Sequence, residues 1–172
     1  MLFAGMLMHA QTLPIDSKTG KITFTEVVYV GDSTISKDEL YSRAREWFAV
    51  TFVSANDVLQ MDDIEAGKII GKGNIRLKKT WHLYGSINFT LTIYLKHGRY
   101  KYVITNLNHF CSVDESISCG ALENENGYKN ALMLPKKSWM KIREQASIEI
   151  HFIIMDLKQA MNNNTSQDND NW

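Results

Sequence analysis

Between Ser86 and Lys96 the side chains alternate without a break. Ile87, Phe89, Leu91, Ile93 and Leu95 fall on one side, and Asn88, Thr90, Thr92, Tyr94 and Lys96 on the other. A period of two means a strand with one buried and one wet face. His97-Gly98 follows and suits a two-residue turn. Pairing outward from it sets Lys96 against Arg99, Leu95 against Tyr100, Ile93 against Tyr102 and Leu91 against Ile104. The apolar sets meet, whereas a one-residue slip would oppose Leu95 to Lys101, so burial fixes the register. The inner face of such a hairpin must be covered, and that demand constrains the rest of the chain.

Two amphipathic segments can supply the cover. Ser36-Lys37-Asp38-Glu39 fits a capping box, flanked by Ile35 and Leu40 as a hydrophobic staple. Leu40, Ala44, Trp47, Phe48 and Thr51 follow at helical spacing, with Tyr41 and Phe52 at the stripe's edges and Arg43, Arg45 and Glu46 toward water. The spacing predicts a helix from Lys37 to Phe52. Pro135 opens a second helix with the stripe Trp139, Ile142, Ala146, Ile150, Ile153, Leu157 and Met161. Its apolar residues spread wider between Ile148 and Leu157, as expected of a helix buried on two sides or meeting a partner in a dimer.

The remaining segments are strands and loops. Residues 11–20 read as an opening loop, and Lys21 to Val30 as a first strand. Asp57 to Asp62, a turn at Asp63 to Gly67, and Lys68 to Leu77 form a second hairpin. In its return strand Lys72, Asn74 and Arg76 share the wet face. Residues 111–134 are long and irregular, and such a connection is often functional or mobile. The expected fold is α+β, one antiparallel sheet with two packed helices in the order β-α-β-β-β-β-α.

The 172 residues suit one domain, placed at 20–161, with an Asn- and Asp-rich disordered tail at 162–172. Nineteen basic residues balance nineteen acidic ones, so no global field draws nucleic acid or anionic lipid. Met1 to Ala10 (MLFAGMLMHA) has the apolar run and small final residue of a signal-peptide remnant without its basic start. It is shorter than the roughly 20 residues of a membrane span. The expected location is periplasmic, cell-envelope or secreted. Cys111 and Cys119 suit a loop disulfide if the chain is exported, and otherwise two free thiols.

Lys37 to Gly73 (KDELYSRAREWFAVTFVSANDVLQMDDIEAGKIIGKG), followed by the strand pair and a long C-terminal helix, resembles a Bacteroidetes family of exported or envelope-associated proteins of unknown function. The resemblance covers roughly residues 20–160. It implies a fold like that of TATA-binding protein and supports export. It implies no catalytic residues.

Motifs that would carry chemistry fall short. Gly71-Lys72-Gly73 lacks the spacing of a P-loop, and its glycines fit a close approach of the first helix to the sheet, or a bulge. Asp62, Asp63 and Glu65 lack the calcium-loop pattern. No histidine pairs with another ligand at metal spacing, so no metal or cofactor is expected. Cys111 beside His109, with acids of the 112–127 loop, is the one arrangement open to an unrecognised enzyme. The leading expectation is a non-catalytic envelope module that binds a protein, peptide or small ligand. Its candidate surface is Lys72, Asn74, Arg76, Thr90, Thr92 and Tyr94. Cations beside an aromatic also leave nucleic-acid binding on that face as an alternative.

Overall fold

The computed structural model describes residues 13–32, 34–52, 59–77, 85–111, 115–131 and 134–162. The leader-like residues 1–10 and the tail beyond Asn162 lie outside them. The elements are β1 (Phe24–Tyr29), α1 (Lys37–Thr51), β2 (Leu59–Asp63), β3 (Lys68–Arg76), β4 (Ser86–Lys96), β5 (Arg99–Phe110), β6 (Gly120–Ala121) and α2 (Lys136–Asn162). All pairings are antiparallel, in the spatial order β1-β5-β4-β3-β2. The two-residue β6 lies on β1's side of β5 and adds one strand to the expected order.

The β4–β5 hairpin has the expected register, from Lys96 opposite Arg99 to Leu91 opposite Ile104. Gly98 takes φ +67°, which the tight turn requires. Beyond Thr105 the pairing shifts by one residue: Thr90 still faces Thr105, but Asn88 faces Asn108. Asn106 sits in this bulge at φ +58°. The extra residue reverses the phase of β5. Tyr100, Tyr102 and Ile104 point inward before it, and Leu107 and His109 after it.

Both helices cover the same face of the sheet. Leu40, Tyr41, Ala44, Trp47 and Phe48 of α1 and Trp139, Ile142, Ala146, Ile150, Ile154, Leu157 and Met161 of α2 join the strands' inner residues in one core. Each fully buried aliphatic or aromatic side chain contributes roughly 1.5–3 kcal/mol by leaving water. The Ser36 Oγ accepts the Glu39 amide at 3.0 Å, one half of the capping box, while the Glu39 carboxylate pairs with Arg43 instead of the Ser36 amide.

Three side chains differ from expectation. Arg43, expected in water, is only 4% exposed. Its Nη1 donates to the Met161 carbonyl at 3.0 Å, and its Nε to Glu39 Oε1 at 3.1 Å. Thr51 is exposed, and Ile154 is buried in α2 while Ile153 is only partly so. Gly73 does not make room for a helix. A Cβ there would lie 2.0 Å from the Phe89 ring, so the bare backbone lets Phe89 lie across β3. Phe52 at the end of α1 then packs on Phe89, with ring centroids 6.4 Å apart.

Candidate functional site

With the helices on one face, the other face of the sheet is left open among the described residues. Side chains directly opposite in neighbouring strands share a face. Lys72 faces Thr90, Ile70 faces Thr92, Asn74 faces Asn88, Arg76 faces Ser86 and Lys68 faces Tyr94. All six candidate residues, Lys72, Asn74, Arg76, Thr90, Thr92 and Tyr94, therefore stand on this open face. Lys72, Asn74, Arg76 and Tyr94 are exposed, and the two threonines are half-buried.

The same register adds Lys68, which alternation along single strands did not bring beside Tyr94. Tyr94 is flanked by Lys68 on β3 and Lys101 on β5, whose ammonium groups lie 5.4 and 6.0 Å from the ring centroid. A cation over an aromatic face is held by the ring's quadrupole. At the hairpin end Arg99 faces both Lys96 and Tyr29, and its guanidinium lies 5.7 Å from the Tyr29 ring centroid. On β3, β4 and β5 the open face thus carries Lys68, Lys72, Arg76, Lys96, Arg99 and Lys101. The acid found beside them is Asp63, opposite Lys68 on β2. The whole chain has zero net charge, so the balancing negative charge lies elsewhere.

The centre of the face is neutral and rich in amides. Asn74, Asn88 and Asn108 lie side by side across β3, β4 and β5. Asn74 Nδ2 donates to Asn88 Oδ1 at 2.5 Å and to Ser86 Oγ at 2.8 Å. Asn108 Nδ2 donates to the Asn106 carbonyl at 2.9 Å, and Lys21 Nζ donates to Asn106 Oδ1 at 2.7 Å. Asn74, Asn88, Asn106 and Asn108, with Lys72 and Thr90, line a shallow depression of about 530 Å³. Alternation alone already put Asn88 on the wet face. Asn106 and Asn108 reach it only because of the bulge.

The region around Cys111 is built differently. Cys111 and Cys119, weighed above as a loop disulfide, are both free and buried thiols. His109 is 2% exposed, and its Nδ1 accepts the Cys119 amide at 3.0 Å. Its ring meets Trp139 edge-on at 5.9 Å. Burial pushes the Cys119 thiol up to about 11. Glu123 accepts the Ile22 amide at 2.8 Å, and Glu125 pairs with Arg143 at 3.8 Å. The nitrogen that would serve as a base is therefore committed to a backbone amide, and Glu123 and Glu125, two of the loop's acids, are engaged elsewhere. The acidic turn is structural as well: Asp62 accepts the Tyr41 hydroxyl and pairs with Arg45 at 2.9 Å, and Asp63 accepts the Ala66 amide. Among the described residues, no cluster of three or more His, Cys, Asp or Glu could hold a metal ion. No helix among them is long and apolar enough to cross a membrane.

Comparison with known proteins gives a fold and no activity. A TBP-like protein from Parabacteroides distasonis superposes with a TM-score of 0.68 at 15% identity, over 88% of this chain and 97% of that one. A DUF4468 family protein from Bacteroides ovatus superposes with a TM-score of 0.64 at 16% identity, over 89% and 93%. None of the curated proteins matches. The model of a domain of unknown function with TBP-like fold, DUF4468, matches residues 16–110, which hold β1 to β5 and α1. The chain belongs to the DUF4468 family.

Proposed function

We propose that the chain is a non-catalytic binding module that receives an anionic partner on the open face of its sheet. One observation carries this reading: a chain of zero net charge gathers Lys68, Lys72, Arg76, Lys96, Arg99 and Lys101 on one face that the described residues leave open. Segregated charge of one sign concentrates counter-charged partners even when the total is zero. The sealed surroundings of His109 and Cys119 support a role without catalysis. The leader-like Met1 to Ala10 supports a periplasmic or cell-envelope setting.

Retention on heparin-agarose at low salt tests the reading. The wild type is expected to be retained and to elute as salt rises. The triple variant Lys68→Glu/Lys72→Glu/Lys101→Glu should flow through. The triple variant Lys136→Glu/Lys137→Glu/Lys141→Glu on α2 makes the same change in net charge and should be retained like the wild type. Equal behaviour of the two variants would remove the open face from the account.

A further inference from the structure

We infer that the ligand of the open face is an acidic polysaccharide, with one sugar residue seated in the amide-lined depression at the β4–β5 bulge. The inference rests on the binding reading above and adds the ligand's chemical class.

The depression is specifically built. Asn106 holds φ +58°, a conformation that costs a non-glycine residue energy and persists where the surroundings impose it. The bulge it creates brings Asn106 and Asn108 beside Asn88 and Thr90. An unbroken β5 would have pointed Leu107 and His109 outward instead.

The free valences of the site match hydroxyl groups. Among the described residues, Asn74 Oδ1, Asn88 Nδ2 and Asn108 Oδ1 have no protein partner after the bonds given above. The site therefore offers acceptors and a donor within one shallow surface. A sugar hydroxyl both donates and accepts, so neighbouring hydroxyls on one ring can answer both kinds of group. Lys72 stands at the rim, and Lys68 and Lys101 lie further along the same strands. Thr90 and Tyr94 are four residues apart on β4, roughly 13 Å at strand rise. Carboxylates repeated along an extended chain can meet these cations in turn while one ring occupies the depression.

A single-stranded nucleic acid fits less well. Its affinity on a sheet face comes largely from bases stacked on open aromatic rings. Tyr94 lies between lysines from both neighbouring strands, whose ammonium groups lie 5.4 and 6.0 Å from its ring centroid and compete with a base for it. An acidic peptide would meet the lysines equally well but has no hydroxyl array for the amides.

The test is a biosensor titration of the full chain against immobilised polygalacturonate, neutral dextran, poly(dT) and poly-L-glutamate, with Asn88→Ala and Lys101→Ala variants. Saturable binding to polygalacturonate is expected, at least tenfold tighter than to the other three. Asn88→Ala leaves the charge unchanged and should weaken it at least tenfold; Lys101→Ala should weaken it severalfold and flatten its salt dependence. Asn88 is exposed, and an unchanged melting temperature would show that its variant folds. If polygalacturonate binding survives Asn88→Ala, the seated sugar is overturned and only general attraction to anions remains. If poly(dT) or poly-L-glutamate binds best and Lys101→Ala weakens it, the glycan class is overturned while the binding face stands. If none of the four surfaces binds, the seated acidic sugar is overturned, and retention on heparin then decides only whether the face attracts anions at all.

Discussion

Arg43 Nη1 bonds the Met161 carbonyl at 3.0 Å, joining the middle of α1 to the last turn of α2. The carbonyls of a helix's final turn have no partner within the helix and carry its negative dipole end. A buried guanidinium satisfies one of them and is itself neutralised by Glu39. Arg43→Leu leaves that carbonyl unsatisfied and removes a charge-assisted bond. The expected loss is about 2–4 kcal/mol of unfolding free energy. Urea denaturation monitored by circular dichroism measures it, with the slope unchanged. A loss below about 0.5 kcal/mol, the scale of an ordinary surface substitution, would mean that the bond ties nothing together.

Arg43 also marks where reading the sequence stops. Its position on α1 was legible, but the carbonyl that draws it inward lies 118 residues away. Helical periodicity sees only the helix's own faces. The β4–β5 register was legible because both strands lie next to one turn and a slip would expose apolar residues. The bulge at Asn106 was not, because a change of phase within one strand has no cue in alternation alone. Parity placed Lys72, Asn74, Arg76, Thr90, Thr92 and Tyr94 on one face. That Lys101 neighbours Tyr94 follows from the β4–β5 register, but that Lys68 flanks it on the other side follows only from pairing β3 with β4.

Gly73 tests the packing above the site. A methyl group there would overlap the Phe89 ring, which lies against Phe52 and cannot simply swing aside. Gly73→Ala is expected to cost about 1–3 kcal/mol by overpacking. Phe89→Leu should also destabilise, by loss of ring contacts. The double variant should be more stable than the sum of the two losses predicts, since a smaller side chain leaves room for the methyl. Thermal unfolding of the four proteins closes the cycle, and strict additivity would sink this account of Gly73.

Tyr41 contributes, with the buried Tyr100 and Tyr102, to an alkaline limit on stability. Burial, and then its hydrogen bond to Asp62, pushes the phenol from its ordinary value near 10 up to about 12. The folded state thus holds the proton more tightly than the unfolded chain does. Its contribution is complete below pH 10 and disappears as pH rises toward 12. Unfolding free energy measured by urea at several alkaline values should therefore fall across that window. Tyr41→Phe should be less stable at neutral pH, having lost the bond to Asp62, and should fall less steeply. A variant whose alkaline decline matches the wild type would show that another group governs it.

The two cysteines decide between a packed core and a hidden active site. A nucleophilic cysteine must present a thiolate to solvent or to a base. Cys119 does neither: burial raises its thiol to about 11, and the nearby His109 Nδ1 is bonded to the Cys119 amide nitrogen rather than to sulfur. Cys111 is fully buried at the same sheet end. Ellman's reagent at about pH 8 should label neither thiol in the native chain and both in guanidinium. The labelling rate of the native protein should follow the rate or extent of unfolding, rising with urea. Fast labelling of Cys111 or Cys119 without denaturant, retained in His109→Gln only at a much reduced rate, would establish a base-activated thiol. It would overturn the non-catalytic reading whatever binds on the open face.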